Sequence, residues 1–518
     1  LELMGGNAAT LVDRLARQAN RNPPVHRPYD GFGNRVDEVE YHPSWRELER
    51  VAYGAGIVAL KYEAELREAH GRSLNVLGFS LAYLFAQSEI GLFRAASHTD
   101  GAFRLIQRYG TQDQRSRLLH WLASRDAARL YRGGVFITER QGGSDLSKLQ
   151  TRAEEREGRL RLYGEKWFCS NVDAEVILAF ARGAGDDAVR LYLVHREGPL
   201  DERHRVRINR LKDKLGVRSL ATGEVEFRGA AAERLGTDAQ QGEIRDELTM
   251  YARLYSAFAG AAIMRRAVFE ATQYLRTREL AGHGALEHPL VRESLADMNA
   301  EELAAKHLVF WAARHLDEAD RGDANARALL EAVVPLAKFL TARRAVWAAS
   351  EALELHGGNG YVEDFVTPRL LRDAHVLPVW DGSTNLLALE VLQSCFLHRC
   401  HEALFTEVRR RCASAGESAE TRAILAMTDS VESELRSLEG REIPAGRPRP
   451  LVERLALLYP LALLAEEGST PSDAAPLART ALRRLLQRHG DGFPGPGADA
   501  LDALIHGSVQ IGDMTAVP

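Results

Sequence analysis

Cysteine and long apolar runs are both scarce in this 518-residue sequence. Its four cysteines, Cys169, Cys395, Cys400 and Cys412, are too few and too irregularly spaced for a disulfide framework or a zinc site. No apolar run reaches the roughly 20 residues that a membrane helix needs, and the first residues, LELMGGNAAT, do not resemble a secretion signal. These absences predict a protein of the reducing cytoplasm, with no metal centre and no membrane segment.

Positive charge is also in short supply. The net charge is −5, and only seven of the 67 basic residues are lysine. Residues 401–518 carry 13 arginines and no lysine against 17 acidic residues, a balance of −4. Because nucleic-acid binding needs a positive surface, this negative balance predicts that the tail does not bind DNA tightly. One basic cluster in this tail, ALRRLLQRHG, is interpreted as a solvated helix face.

Changes of pattern divide the chain into four segments. Residues 1–131 carry apolar residues at helical spacing after a loop-rich start, whereas residues 132–240 contain short β-branched or alternating runs such as GGVFIT and GRLRLYGEKWF. Long helical patterns return in residues 241–400 and continue in residues 401–518, where the Pro/Gly/Arg-rich segment REIPAGRPRP interrupts them. The sequence therefore predicts an N-terminal helical domain, a middle β-domain, a C-terminal helical bundle and an additional helical domain.

Two motifs of the predicted β-domain carry residues suited to an anionic or planar ligand. In TERQGGSD, the turn at Gly142, Gly143 and Ser144 has small residues that let backbone N–H groups approach a ligand closely. In GEKWFCSN, Trp167 and Phe168 are positioned in the sequence to wall a planar cofactor. Taken singly, each motif also has a simpler interpretation, a plain β-turn for the first and core aromatics for the second.

A third motif lies in the C-terminal helices. HGGNGY is a glycine turn after a helix, and WDGSTN places Asp381 in a small polar turn before the next apolar helix. Asp, Ser and Thr before a helix commonly accept hydrogen bonds from its first N–H groups. On local evidence, Asp381 is therefore either a helix cap or a chemical base.

Taken together and in this order, TERQGGSD, GEKWFCSN, KLGVRS and HGGNGY…RLLRDA…WDGSTN resemble the signature segments of the flavin-dependent acyl-CoA dehydrogenase superfamily. The resemblance covers roughly residues 30–400. Within it, YDGFGNRVDEVEYHPSW, RLKDKLGVRS and the tail beyond residue 400 are most similar to the AidB branch. The resemblance implies an α+β fold with an N-terminal helical domain, a middle β-barrel-like domain, a C-terminal four-helix bundle and an extra helical tail.

The resemblance also implies FAD as the cofactor. The residues that fall on the family's cofactor contacts are Val135, Ile137, Thr138, Gly143, Ser144, Phe168, Ser170, Arg278, Glu354, Gly358, Ser383 and Asn385. In the family, the positions of Arg278, Glu354 and Gly358 reach the cofactor of a neighbouring subunit. The resemblance therefore implies a homo-oligomer, a dimer or a tetramer, with the homotetramer favoured.

Asp381 falls on the position of the family's catalytic base, where glutamate is usual. Aspartate is one methylene shorter, so its oxygens lie roughly 1.5 Å further back on the same backbone; nitroalkane oxidase, in the same superfamily, also uses an aspartate there. Arg253 matches a family arginine whose charge would hold Asp381 ionised, and a surface arginine is the alternative interpretation. A second departure is Ala281, which replaces the family's aromatic residue and implies a looser adenosine end of the cofactor site.

The function that the resemblance favours is α,β-dehydrogenation of an acyl thioester, carried on CoA or on a carrier protein. Asp381 would take the α-proton, and the flavin would take the β-hydride. The alternatives are a flavin oxidase or monooxygenase acting on a small carbon or nitrogen acid, and an AidB-like protective flavoprotein associated with DNA. The negative balance of the tail disfavours the last of these.

Overall fold

The computed structural model describes residues 1–196, 205–441, 446–490 and 498–510. The chain separates into two compact units, residues 1–255 and 256–518. The predicted domain boundaries near residues 132, 241 and 400 are finer than this division and stay predictions. Among the described residues, no helix combines the length and the apolar character needed to cross a membrane.

The first unit begins with helices and one small hairpin. The helices are α1 Glu2–Asn7, α2 Asp13–Arg21, α3 Pro43–Gly54, α4 Ala64–His70, α5 Leu74–Ala86, α6 Ile90–Tyr109 and α7 Gln112–Leu122. The hairpin, β1 Val25–Tyr29 and β2 Arg35–Glu40, lies where the sequence predicted a loop. Its strands are rich in charged residues, so they lack the apolar alternation that usually identifies a strand. The Asp30 carboxylate holds the turn by accepting hydrogen bonds from the backbone N–H groups of Phe32 and Asn34.

A β-sheet completes the first unit. The strands are β3 Gly133–Phe136, β4 Arg152–Arg156, β5 Arg159–Ser170, β6 Val176–Arg182, β7 Val189–His195, β8 Val206–Leu211 and β9 Thr222–Arg234. Their hydrogen-bonded order is β3-β6-β4-β5-β9-β7, with β8 paired to β9. Since β6 also pairs with β7, strands β6, β4, β5, β9 and β7 close into a ring. This closure confirms the predicted β-barrel-like domain.

One apolar core joins this sheet to the helix α6. Val176, Leu178 and Phe180 of β6 share one face of their strand and pack with Phe103 and Ile106. Each large apolar side chain buried in this way contributes about 1.5–3 kcal/mol to stability. The core fixes β6 and its parallel neighbour β3, and thereby the turn that follows β3.

The second unit is helical. Helix α8, Gln241–Arg276, begins in the first unit and contributes its residues from 256 onward to the second. The other helices are α9 Pro289–Asp320, α10 Ala324–Leu355, α11 Thr367–Ala374 and α12 Thr384–His398. A short hairpin consists of β10 Glu279–Leu280 and β11 His283–Gly284. The long helices form the predicted bundle. A Cβ added at Gly260 of α8 would lie 2.8 Å from the Thr341 side chain of α10, so glycine permits this close approach. Phe258 and Phe310 make an edge-to-face contact between α8 and α9, with ring centroids 5.2 Å apart.

The tail adds α13 Cys400–Ala415, α14 Ala419–Leu438, α15 Pro448–Ser469, α16 Ala475–His489 and α17 Ala498–Gln510 to the same unit. Its most deeply buried charge is Arg411 of α13, which is fully buried. The Arg411 guanidinium lies 3.8 Å from the ring centroid of Trp311 in α9 and 5.4 Å from that of Tyr459 in α15. Glu466 pairs with the same guanidinium. The tail is therefore packed onto the bundle through a desolvated cation.

The basic cluster ALRRLLQRHG lies in α16. Arg483 is exposed as predicted, but the prediction of a solvated helix face is wrong for Arg484, Arg488 and His489. Arg484 Nε lies 2.5 Å from a carboxylate oxygen of Asp297 in α9, and the Arg484 side chain is 11% exposed. Arg488 approaches the other oxygen of Asp297 at 3.2 Å, and His489 approaches Glu301 at 2.9 Å. Asp297 is 187 residues before Arg484, and Glu301 is 188 residues before His489, so the sequence pattern of the cluster does not reveal these partners.

Candidate functional site

The turn after β3 contains the first group of predicted cofactor contacts. Val135 and Ile137 are half-buried and pack against the apolar core, while Ser144 is exposed. A Cβ at Gly143 would clash with the Oγ1 atom of Thr138, so only glycine fits there. The backbone groups of residues 139 and 142 pair with each other, which confines the turn to a tight loop.

A buried ion pair that the sequence analysis missed fixes this turn to β5. The Lys166 ammonium lies 2.7 Å from Glu139 Oε1, and the two side chains are 0% and 3% exposed. Lys166 also donates a hydrogen bond to the Phe180 carbonyl, and Glu139 accepts hydrogen bonds from the backbone N–H groups of Gln150 and Thr151. Both residues lie inside motifs noted for other positions, TERQGGSD and GEKWFCSN. Their pairing depends on the register between loop and strand, which no local pattern shows.

This pair should make the turn sensitive to acid. Burial opposes ionisation of Glu139, but the charge and hydrogen bonds of Lys166 outweigh it and hold the pKa of Glu139 at about 2, below its usual 4.5. The folded-state pKa is lowered, so the stabilising contribution is complete above about pH 4.5 and is lost as the pH falls towards 2. We expect the unfolding temperatures of the wild-type protein and Glu139→Gln to differ most near neutral pH and to converge as the pH falls from about 4.5 towards 2. A difference that stays constant on acidification in scanning fluorimetry would contradict this assignment.

The aromatic pair of β5 is open to solvent on one side. Phe168 is 56% exposed, and the Trp167 and Phe168 rings meet edge to face with centroids 6.3 Å apart. The Lys212 ammonium lies 3.3 Å from the Trp167 ring centroid. An exposed aromatic ring beside a glycine turn is a surface that a planar cofactor would cover. The interpretation of both rings as core aromatics is therefore wrong for Phe168.

Ser170 is buried, and its Oγ lies 3.1 Å from Thr222 Oγ1. Thr222 also accepts a hydrogen bond from the ammonium of Lys214, which donates another to the Leu220 carbonyl. The KLGVRS segment is thus tied to the Ser170 end of β5. Val217 in the same segment has a φ of +52°, a conformation that β-branched residues rarely adopt.

Arg253, the predicted partner of the base, lies half-buried on α8 in the first unit. Its predicted role stays a prediction.

Asp381 lies in a turn of the second unit between α11 and α12. The N-cap of α12 is Ser383, whose hydroxyl accepts a hydrogen bond from the Leu386 N–H at 3.5 Å. The interpretation of Asp381 as the cap of this helix is therefore wrong. Instead, Oδ2 of Asp381 accepts a hydrogen bond of 2.5 Å from the hydroxyl of Ser256 in α8. The Asp381 side chain thus contacts a residue that is 125 positions away in the sequence.

The backbone of this turn is unusual. Asp381 has a φ of +54° and Gly382 a φ of +108°. Among residues with a side chain, aspartate and asparagine enter the left-handed region most readily, because their short polar groups bond locally. Lys338 of α10 is fully buried and donates a hydrogen bond to the Gly382 carbonyl. The turn is therefore held both through the carboxylate and through the backbone.

The remaining predicted contacts are exposed positions of the second unit. Arg278, Glu354, Gly358, Ser383 and Asn385 are all exposed. The structure brings the Arg278 and Gly358 segments together, since Tyr274 lies under the Arg278 guanidinium at 5.3 Å and stacks on His356 with centroids 4.3 Å apart. Asn359 also donates a hydrogen bond to the Tyr274 hydroxyl.

The departure at Ala281 has a backbone explanation. Ala281 and Gly282 have φ values of +51° and +83°, and they connect β10 to β11. Two consecutive positive φ values are characteristic of the type I′ hairpin turn. A large aromatic residue is unfavourable in such a turn, because residues with bulky side chains rarely adopt a positive φ. The hairpin occupies the position at which the family places its aromatic residue.

The cysteines are all free and buried, with the sulfurs of Cys395 and Cys400 4.0 Å apart. In the described part of the chain, histidine, cysteine and acidic side chains do not gather into a group able to hold a metal ion.

Three family models match successive parts of the chain. The model of the adaptive response protein AidB N-terminal domain matches residues 3–127. The acyl-CoA dehydrogenase middle domain matches residues 134–230, and the acyl-CoA dehydrogenase C-terminal domain matches residues 244–395.

Individual proteins agree with these matches. The chain is 33% identical over 397 residues to the putative acyl-CoA dehydrogenase AidB of Escherichia coli, covering 75% of this chain and 72% of that protein. It is 31% identical over 408 residues to acyl-CoA dehydrogenase family member 11 of Caenorhabditis elegans, covering 76% of this chain and 66% of that relative. A crystal structure of C. elegans ACDH-11 in complex with C11-CoA superposes with a TM-score of 0.82 at 26% identity, covering 99% of this chain and 90% of that chain.

Proposed function

Because the chain belongs to the acyl-CoA dehydrogenase family, we propose that it is an FAD-dependent dehydrogenase that introduces an α,β double bond into an acyl thioester, with Asp381 as the base. The thioester is carried on CoA or on a carrier protein. The observation that carries the proposal is the Asp381 turn, where a carboxylate is fixed by Ser256 and is not used as the helix cap.

The described residues of the first unit fit the cofactor. Phe168 offers an exposed ring, and the neighbouring turn at Gly143 leaves no room for a Cβ on the side of Thr138. These residues, with Ser144 and Ser170, would hold the isoalloxazine from the sheet. When bound, FAD supplies the acceptor for the two electrons removed from the substrate. The buried Glu139–Lys166 pair keeps the turn and β5 in fixed relation, so the cofactor surface is preorganised.

Asp381 performs the proton transfer in this proposal. The acidity of the carbon next to a thioester carbonyl allows a carboxylate within hydrogen-bond reach to remove its proton. The hydrogen bond from Ser256 favours the ionised form of Asp381, which is the form that accepts a proton. The same bond restricts rotation of the carboxylate, so the accepting oxygen keeps its direction.

The oligomeric state is part of the proposal. Several large apolar side chains of the second unit are exposed, among them Leu290 at 78%, Tyr361 at 82%, Val379 at 67% and Leu397 at 76%. Contact with another chain would remove these side chains from water, which is favourable for apolar surface. Arg278, Glu354 and Gly358 are exposed in the same unit. Their exposure agrees with contacts to the cofactor of a neighbouring copy in a homotetramer.

DNA protection is the weaker candidate. Its best support was the basic cluster of α16, but Arg484 and Arg488 are paired with Asp297 inside the second unit. A phosphate would have to displace this carboxylate before it could bind either guanidinium. The described contacts of α16 therefore favour packing over nucleic-acid binding.

Cofactor binding and substrate reduction test the proposal directly. We expect the purified protein to be yellow and to contain about one FAD per chain. Its mass measured by light scattering should be that of a tetramer. Anaerobic addition of a straight-chain acyl-CoA should bleach the flavin, and C11-CoA is the first choice because the C. elegans protein was solved with it. A colourless monomer that takes up no FAD would refute the proposal. Rapid reoxidation by oxygen with a small nitroalkane or similar acid, and no response to any thioester, would favour the oxidase alternative.

A further inference from the structure

Ser256 is an unusual serine for the interior of a helix. It is 2% exposed and lies within α8. Buried serine and threonine side chains in helices commonly bond the carbonyl one turn back. Thr272 of α8 and Thr341 of α10 do so, to the carbonyls of Val268 and Ala337 at 2.8 Å.

The Ser256 hydroxyl makes a different bond, to Oδ2 of Asp381 at 2.5 Å. A hydroxyl donor to an ionised carboxylate forms a shorter and stronger bond than a neutral pair does. It also places a donor on the carboxylate, which supports the charged form over the neutral one. The contact therefore affects both the direction and the basicity of the carboxylate.

Lys338 acts on the same turn from α10. Its side chain is fully buried, and its ammonium donates a hydrogen bond to the carbonyl of Gly382, the residue after Asp381. Lys338 is thus an ionisable group that supports the turn from a second helix, through the Gly382 carbonyl. Since Asp381 and Gly382 both have positive φ values, the turn needs such support to keep its conformation.

We propose that Ser256 is a positioning residue for the carboxylate of Asp381, and that Lys338 holds the backbone of the same turn. The inference rests on the proposed function in one respect, the role of Asp381 as the base. Ser256 does not contact the reacting atoms in this proposal. It acts by keeping the carboxylate ionised and oriented.

The first test is the pH profile of flavin reduction. In Ser256→Ala, loss of the donated hydrogen bond should raise the acidic limb of the profile by about one pH unit, since bonds to charged groups have this order of strength. The maximal rate should also fall, by about tenfold, because the carboxylate is no longer held. Ser256→Thr keeps the hydroxyl and should retain the wild-type limb. Thr272→Ala removes a buried hydroxyl from the same helix and should leave the limb where it is.

The second test uses stability and needs no substrate. Glycine adopts positive φ freely, so Asp381→Gly removes the carboxylate without straining the turn. In apoprotein of otherwise wild-type sequence, Ser256→Ala should lower the unfolding temperature by about 2–4 °C. In the Asp381→Gly background the same change should have almost no effect, because the serine has already lost its acceptor.

The outcomes separate the inference from the proposed function. If Asp381→Asn abolishes reduction but Ser256→Ala leaves the acidic limb unchanged, Asp381 is the base and Ser256 does not position it. Equal effects of Ser256→Ala in the two stability backgrounds would overturn the inference as well. If Asp381→Asn reduces flavin at the wild-type rate, the proposed base is wrong, whatever the stability cycle shows.

Discussion

Replacing Asp381 with asparagine is expected to slow the reductive half-reaction by about 10²–10⁴-fold, the usual contribution of general-base catalysis. Asparagine has the same size, still accepts the hydrogen bond from Ser256, and enters the left-handed region as readily as aspartate does. The fold and the bound flavin should therefore be retained. Stopped-flow absorbance of the flavin, with any thioester that reduces the wild-type protein, measures the effect.

A matched control is available at Asp323, an exposed aspartate whose carboxylate caps α10. Asparagine is an equally good cap, so Asp323→Asn should change neither the rate nor the stability. Wild-type reduction by Asp381→Asn would leave the chain without an identified base.

Lengthening the same side chain separates two explanations for the aspartate. Asp381→Glu restores the usual length of the family, but glutamate is less tolerant of the φ of +54° at this position, where left-handed backbone costs roughly 1–2 kcal/mol. If the turn alone selected aspartate, the variant should lose stability and keep dehydrogenation of ordinary acyl-CoA. If a closer substrate also selected it, the variant should lose activity as well as stability. Thermal unfolding and flavin reduction on the same preparation decide between them.

Removing the cation of the buried pair should give the largest loss of stability. Lys166→Met leaves the Glu139 carboxylate buried without its partner, and breaking a buried pair in this way costs about 3–5 kcal/mol. Because Glu139 accepts hydrogen bonds from the backbone N–H groups of Gln150 and Thr151, the turn that carries the proposed cofactor contacts should loosen with it. We expect a lower unfolding temperature and faster loss of FAD on dilution or gel filtration.

Lys148→Met is the control for this experiment. Lys148 follows the same turn, but it is 76% exposed and lies 3.7 Å from an exposed Asp145 carboxylate. Exposed ion pairs contribute little to stability, so loss of the Lys148 charge should leave the unfolding temperature and FAD retention almost unchanged. The double variant Glu139→Gln/Lys166→Met should recover part of the loss, because it leaves no unpaired buried charge. Equal behaviour of Lys166→Met and Lys148→Met would mean that the buried pair does not support the turn.

The sequence predicted the parts of this structure that depend on local pattern. Helical periodicity and β-branched runs identified the helix–sheet–helix order, and the glycine motifs predicted the tight turns at Gly143 and Gly358. The β1–β2 hairpin was missed because its strands are short and contain few apolar residues; the sequences are VHRPY and RVDEVE.

The site was less predictable, since its decisive contacts join residues that are distant in the chain. Ser256 meets Asp381 across 125 residues, and Arg484 meets Asp297 across 187. Such pairings follow from how the helices pack, and no local pattern shows which residue is the partner of which. The choice between base and cap at Asp381 also needed the backbone, because Ser383, two residues later, is an equally suitable cap by residue type.

The burial of Arg411 bears on how deletion experiments with the tail should be interpreted. Shortening the chain after residue 400 would expose the Trp311 ring face that now lies 3.8 Å from the guanidinium, and would leave Asp297 without Arg484. A truncated protein would therefore expose a new apolar surface, and we expect it to aggregate or to be degraded in cells. A phenotype of such a truncation would report loss of the whole protein, and it would not assign a separate task to the tail. Single substitutions at exposed positions of α14 or α16 would test the role of the tail without disturbing its packing.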